Sequence, residues 1–177
     1  VRKKGNEQMN EMERLFLKAQ GEEKFDFFMR AYLTIKTGSI PRLDDVYTVF
    51  KQYILGKDVS EAMSDVYKHS QYYGKLEFGN EEDNEIREVL TNIRTLKVDV
   101  AYPFLLNIYD DYVNNLINKE DFITTLKMIE SYVFRRSIAG IPTNSLNKTF
   151  AQLYKEVDKD NYLESLQASF ILKSSYH

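Results

Sequence analysis

The sequence predicts an all-α fold, built as a compact bundle of about nine helices. Apolar residues recur at helical spacing almost throughout the chain, and the alternation typical of strands is missing. The 177 residues include only 7 Gly and 3 Pro, which favours long helices over turn-rich β structure. Because a chain of this length buries roughly 70% of its extended surface, we expect a single helical domain over residues 1–177.

Short polar joints divide the periodic pattern into nine segments. Those whose bounds the pattern fixes lie at about 6–19, 23–37, 59–76, 84–96, 119–139, 144–157 and 161–172. The third helix begins with Asp44 and Asp45 in its first turn, where carboxylates oppose the positive end of the helix dipole, and Gly56 closes it. Asp58 and Glu61 have capping-box spacing at the start of the fourth helix. Pro103 belongs in the first turn of the sixth helix, because a helix start leaves that backbone donor unpaired anyway.

The segment at 119–139 is the longest, and we expect it to be the central helix. At 1.5 Å per residue it spans about 31 Å, close to the full width of a domain of this size. Asn118 and Asp121 have capping-box spacing at its start. Its predicted apolar face comprises Phe122, Leu126, Ile129 and Val133, widened by Ile123 and Phe134. The corresponding stripe of the sixth helix comprises Leu105, Ile108, Tyr112 and Leu116.

The joint after this long helix has strong local signals. Gly140 is expected to take the left-handed conformation that ends a helix, and Pro142 prevents continuation. Thr143 or Asn144 then caps the eighth helix by accepting a backbone N–H. The joint is therefore expected to fix the angle between two helices.

Polar residues around this joint form the best candidate contact with nucleic acid. The candidates are Arg135, Arg136, Asn144, Asn147 and Lys148, with Ser145 among them. Residues 127–155 carry five basic side chains against one acidic side chain, a local charge of +4. A helix N-terminus also presents free backbone N–H groups, which favour a phosphate. The alternative is structural: Arg136 forms a half-buried ion pair with Asp99 or Asp110, while Thr143, Asn144 and Asn147 only cap the helix.

No catalytic or metal-binding constellation is present in the sequence. His69 lies mid-helix and is expected at the surface or its boundary, and His177 is terminal, so no pair of histidines has metal-ligand spacing. The acidic residues 77–85 are expected to form a solvated loop. Residues 110–115 lack the alternating oxygen ligands and the central glycine of a calcium loop, so they are expected to end a helix. We therefore expect no catalytic, metal or cofactor site.

The amino-acid composition excludes further kinds of site and partner. Cysteine is absent, so disulfides, thiolate metal sites and cysteine nucleophiles are ruled out. The net charge of −3 opposes a globally basic nucleic-acid clamp but allows a local patch. No apolar run approaches the ~20 residues that cross a bilayer, so we expect no membrane partner and a cytoplasmic location. The chain begins at Val1 rather than Met, and we expect it to be an excised segment of a longer protein.

Three runs of the sequence carry a family resemblance: residues 25–41 with 46–50, residues 96–106, and residues 131–151. Together they resemble the helical region of GmrSD-type proteins. These are modification-dependent restriction endonucleases of bacteria whose N-terminal domain has a ParB-like nuclease fold. In that family the N-terminal domain carries an Asp-Gly-Gln-Gln-Arg motif linked to nucleotide hydrolysis, and a downstream HNH domain often cuts DNA. Neither motif occurs in this sequence, so no catalytic residue is carried over.

The resemblance implies a non-catalytic helical module of a phage-defence restriction endonuclease. Such a module would couple a nucleotide-hydrolysing N-terminal domain to a C-terminal DNA-cleaving domain, and its partners would be those flanking domains of the parent protein. The alternative is a direct DNA-binding module that contacts backbone phosphates through residues 135–148. A third class is a stand-alone enzyme with a site around Arg136 and Asn147.

Overall fold

The computed structural model describes residues 2–17, 22–142 and 144–175. Within these residues the chain forms nine α-helices and no strand, so the all-α prediction is confirmed. The helices are α1 Arg2–Leu17, α2 Glu22–Thr37, α3 Val46–Ile54, α4 Val59–Phe78, α5 Asn84–Thr95, α6 Tyr102–Val113, α7 Lys119–Ile138, α8 Asn144–Glu156 and α9 Tyr162–Ser175. Two short 3-10 turns, Leu43–Asp45 and Asp99–Ala101, precede α3 and α6. None of the described helices is both long and apolar enough to cross a membrane.

The chain divides into two compact units, residues 1–78 and residues 79–177. In the first, α4 packs against α1 and α2, and α2 also packs against α3. In the second, α7 packs against α5, α6 and α9, while α8 packs against α6 and α9. The expectation of one domain over residues 1–177 stays a prediction.

Side-chain caps start several helices where the sequence places them. The Asp58 carboxylate accepts the Glu61 N–H at 2.9 Å at the start of α4, and the Asn118 side chain accepts the Asp121 N–H at 2.9 Å at the start of α7. Pro103 lies in the first turn of α6, as predicted. The prediction that Asp44 and Asp45 lie in the first turn of the third helix is wrong. They form the 3-10 turn before α3 and make no side-chain cap.

The long helix expected at 119–139 is α7, which ends at Ile138 and is equalled in length by α4. Its buried face includes Phe122, Leu126 and Ile129, all fully enclosed. Phe134 does not widen that face, because its side chain is 52% exposed. On α6 the predicted stripe ends early: the helix stops at Val113, so Leu116 lies beyond it and is exposed.

The first unit buries His69, which the sequence predicts at or near the surface. His69 is only 2% exposed, with the Tyr32 ring centroid 5.3 Å away. Its Nδ1 lies 2.8 Å from the Asp65 carbonyl oxygen and 3.4 Å from the Asp65 carboxylate. That carboxylate also pairs with Lys36 at 2.7 Å and accepts the Tyr32 hydroxyl at 2.8 Å. His69 is therefore the buried member of a partly exposed polar cluster that joins α2 to α4.

Two acidic residues of the second unit are also buried. Glu81, in the stretch expected to be a solvated loop, accepts the Tyr109 hydroxyl and the Asp83 N–H. Asp111, at the end of α6, accepts the Tyr154 hydroxyl at 2.7 Å, the Tyr162 hydroxyl at 2.8 Å and Lys159 Nζ at 2.7 Å. The acidic stretch is thus not wholly solvated, and Asp111 anchors α6 to α8 and to the start of α9.

Candidate functional site

The joint between α7 and α8 is a glycine-terminated helix end. Gly140 has φ +66°, in the left-handed region, as predicted. Its N–H donates to the Ser137 carbonyl at 3.1 Å, and the Ile141 N–H donates to the Arg136 carbonyl at 3.0 Å. This pair of bonds is the Schellman arrangement, which satisfies carbonyls that the helix itself leaves unpaired. The backbone therefore turns sharply after α7.

The next helix, α8, begins at Asn144 immediately beyond this turn. The first backbone N–H groups of an α-helix have no partner within the helix, and the helix dipole adds partial positive charge at that end. The predicted cap falls outside the described part of the chain, which omits Thr143 and the side chain of Asn144.

Arg136, in the last turn of α7, reaches the start of α8. Its side chain is only 5% exposed. Nη2 donates to the Ser145 hydroxyl at 2.7 Å and makes a longer bond of 3.4 Å to the Pro142 carbonyl. The guanidinium carbon lies 5.6 Å from the centroid of the Tyr132 ring, one turn earlier on α7. All these partners are neutral, so none of them balances the positive charge.

The predicted ion pair of Arg136 with Asp99 or Asp110 is wrong. Among the described residues Arg136 has no acidic partner, and its Nε atom is buried without any hydrogen-bond partner. Asp99 lies exposed in the 3-10 turn before α6. A buried cation that is neither paired nor fully hydrogen-bonded is costly, so such sites normally hold a counter-charge. An anion at the start of α8 would provide one.

The structure separates the other predicted contact residues. Lys148 lies exposed on α8, and Asn147 is half-buried in its first turn. Arg135 faces away from the joint: its Nε donates to the Ser131 carbonyl at 3.2 Å, and its side chain lines a groove between α7 and α9. The joint therefore groups Arg136 with the first turns of α8, and Arg135 belongs to another surface.

Two members of the joint are not predicted by the sequence. The Pro142 carbonyl accepts from Arg136, and the Tyr132 ring lies beside the guanidinium. The spacing of Tyr132 and Arg136, four residues apart on one helix, was a signal that could have predicted their contact. No sequence signal marks a backbone carbonyl as an arginine partner.

Other polar clusters of the described residues are already satisfied internally. The Asp65 and Asp111 carboxylates each have lysine and tyrosine partners within their own unit. Burial raises the pKa of Asp65, but the Lys36 ammonium and nearby groups outweigh it and hold that pKa below its usual value. No group of three or more metal-ligating side chains occurs within the described ranges. These clusters stabilise the fold and offer no open chemistry.

The chain was compared with models of known protein families, with characterised proteins and with solved structures, and none of the three comparisons gives a match.

Proposed function

We propose that this chain is a non-enzymatic helical module that binds DNA by a backbone phosphate at the α7–α8 joint. The observation that carries the proposal is the Arg136 guanidinium, which is buried beside the start of α8 with no acidic partner among the described residues. The other features of the joint are consistent with an anionic ligand.

A phosphate suits this site for three physical reasons. A guanidinium presents planar N–H donors that match phosphate oxygens, and a helix N-terminus adds backbone donors and partial positive charge. Lys148 is exposed on α8 and has no ion pair within the described ranges, so it can add a second positive charge. Contacts of this kind hold a protein on the duplex without reading its sequence.

Salt dependence of binding to a labelled DNA duplex tests the proposal. Binding through phosphates releases counterions, so affinity should fall steeply with salt, and Lys148→Gln should lower the slope by about 0.9. Lys155→Gln is a matched control, because it removes an exposed lysine from the last turn of the same helix. Binding that is insensitive to salt, or equal slopes for the two variants, would contradict a phosphate contact at the joint.

The resemblance supports a second candidate, a non-catalytic module that couples a nucleotide-hydrolysing domain to a DNA-cleaving domain of a restriction endonuclease. Its location would be the bacterial cytoplasm, where such enzymes meet phage DNA. One structural observation favours it: the Schellman turn at Gly140 fixes the direction in which α8 leaves α7. A fixed joint of this kind can transmit a change of orientation between flanking domains.

Substitution of the joint in the parent protein tests coupling separately from DNA binding. Gly140→Val together with Asn144→Ala should abolish defence against phage while basal nucleotide hydrolysis persists, because the catalytic domain itself is untouched. If defence and hydrolysis both survive unchanged, the segment is a spacer and the coupling role is wrong.

A further inference from the structure

A second surface of the residue 79–177 unit, independent of the joint, lies along α7. A groove of about 600 Å³ runs between α7 and α9, lined by Met128, Phe170 and Ile171 at its apolar part and by Lys127 and Arg135 on α7. Volumes of this size accommodate several partner side chains.

An exposed face of α7 borders this groove. Lys127, Ser131, Phe134, Arg135 and Ile138 follow one another at spacings of three, four or one residues, so they form a single stripe on the helix. All five side chains are exposed, and Phe134 and Ile138 are 52% and 72% exposed. Large apolar side chains grouped on one exposed face indicate an interaction surface, whereas scattered ones do not.

The two cations of this stripe have no counter-charge of their own. Neither Lys127 nor Arg135 forms an ion pair within 4.0 Å among the described residues, and the only hydrogen bond that the Arg135 side chain makes there is to the Ser131 carbonyl. Lys127 also borders a smaller hollow of about 370 Å³ that contains Glu88 and Glu130, yet it is not paired with either of them. The cations are therefore available to a partner.

We propose that the α7–α9 groove binds an acidic amphipathic helix of a partner protein. Lys127 and Arg135 are eight residues apart, or about 12 Å along the helix axis. Two carboxylates seven or eight residues apart on a partner helix span the same distance, and the apolar residues between them would contact Phe134, Met128 and Ile171. This is the mode in which a helix lays its apolar face into a groove and places charges at the rim.

The apolar lining favours a peptide over nucleic acid as the occupant. A phosphate backbone needs convergent positive charge, whereas the two cations here flank apolar side chains. Met128 adds an adaptable side chain, which is common where one surface must fit another helix.

Fluorescence anisotropy with a labelled synthetic helical peptide of about 16 residues tests the proposal. The peptide carries two glutamates seven residues apart with leucines between them, and a control peptide replaces both glutamates by glutamine. We expect the acidic peptide to bind the wild-type protein. Its affinity for the Lys127→Glu/Arg135→Glu variant, in which both cations are reversed, should be at least about tenfold lower. Phe134→Ala should also weaken binding, and a peptide with two lysines should bind the charge-reversed protein.

Lys148→Glu, at the joint, is the matched control and should leave peptide binding unchanged. Circular dichroism verifies that each exposed-site variant is folded. Equal affinity of the acidic and glutamine peptides would overturn the proposal, as would failure of the acidic peptide to bind folded protein. Competition of a DNA duplex for the groove, lost in Lys127→Glu/Arg135→Glu but not in Lys148→Glu, would assign the groove to nucleic acid and also overturn it.

Discussion

At the scale of single residues, Asp111 and Arg136 are buried charges in the same unit with opposite surroundings. The Asp111 carboxylate has a lysine and two tyrosine hydroxyls as partners, whereas the Arg136 guanidinium has a serine hydroxyl and a backbone carbonyl. Burial disfavours both charges, so the two sites differ in whether an opposite charge offsets the cost of burial. Substitutions at the two positions should therefore have different consequences.

Asp111→Ala should lower the free energy of unfolding by about 2–4 kcal/mol. It removes three charge-assisted bonds and leaves Lys159 unpaired, although partial exposure of that lysine moderates the cost. Urea unfolding followed by circular dichroism measures the change. Glu156→Gln is the control, since it breaks the more exposed pair with Lys173 and should cost under ~1 kcal/mol. Equal losses would mean that the Asp111 cluster is not an anchor.

Arg136→Met should change the unfolding free energy by less than about 1 kcal/mol in the absence of anions, because it removes an uncompensated buried cation and keeps an apolar stem. Inorganic phosphate should stabilise the wild-type protein, by about 1.4 kcal/mol at ten times its dissociation constant, through binding to the folded state. Thermal unfolding at matched ionic strength compares the two proteins. A similar gain in Arg136→Met would show that phosphate acts nonspecifically and that Arg136 holds no anion.

His69 should make the first unit sensitive to mild acid. Burial lowers the pKa of His69 below its usual 6.5, as do Lys36 and Lys68, while the Asp65 carbonyl and carboxylate act in the opposite direction. Because the unfolded chain takes up a proton at higher pH than the folded chain, stability is intact above 6.5 and falls as pH drops from there toward the folded pKa. The midpoint of urea unfolding should therefore fall between about pH 7.5 and about pH 5.5, and this fall should be larger in the wild type than in His69→Gln. His177→Gln should keep the wild-type difference, and an unchanged difference in His69→Gln would show that other groups cause it.

At the scale of elements, the end of α7 depends on backbone conformation alone. Gly140 has φ +66°, and a Cβ added there would meet no atom within 4 Å. Gly140→Ala should therefore lower the free energy of unfolding by about 1 kcal/mol, because alanine is strained in the left-handed conformation. Steric contact should add nothing to this loss. Urea unfolding checks this value, and Gly140→Asn should cost less, because Asn tolerates this region better. A loss well above ~2 kcal/mol would mean that the turn is tightly packed.

Helix starts and helix faces differ in how far the sequence predicts them. The caps at Asp58 and Asn118 are confirmed because a cap involves residues three positions apart. The Phe134 prediction failed because helical periodicity identifies a face without saying how much of it a neighbouring helix covers. The same limit explains why the sequence predicts one cluster for adjacent Arg135 and Arg136 although they face different surfaces.

At the scale of the whole molecule, each unit has its own buried core. In residues 79–177 that core includes Leu105, Phe122 and Phe150. We therefore expect residues 79–177 to fold alone and to unfold cooperatively on heating, with helical content close to that of the same residues in the full chain. Circular dichroism of the isolated segment measures this. A segment that is unfolded alone would instead favour the single domain expected from the sequence.

The sequence by itself determined the helical class, the helix starts at Asp58 and Asn118 and the left-handed turn at Gly140, because these depend on residues within one or two turns of each other. The tertiary structure alone decided which charged groups are buried and with what partners. Asp111 meets Tyr154, Lys159 and Tyr162 across separations of 43 to 51 residues, and no local pattern encodes such distances. Arg136 lacks a carboxylate because, among the described residues, the chain path brings it to Ser145 and Pro142 rather than to Asp99 or Asp110. Its missing counter-charge, which carries the proposed function, is a property of the folded neighbourhood and not of residue order.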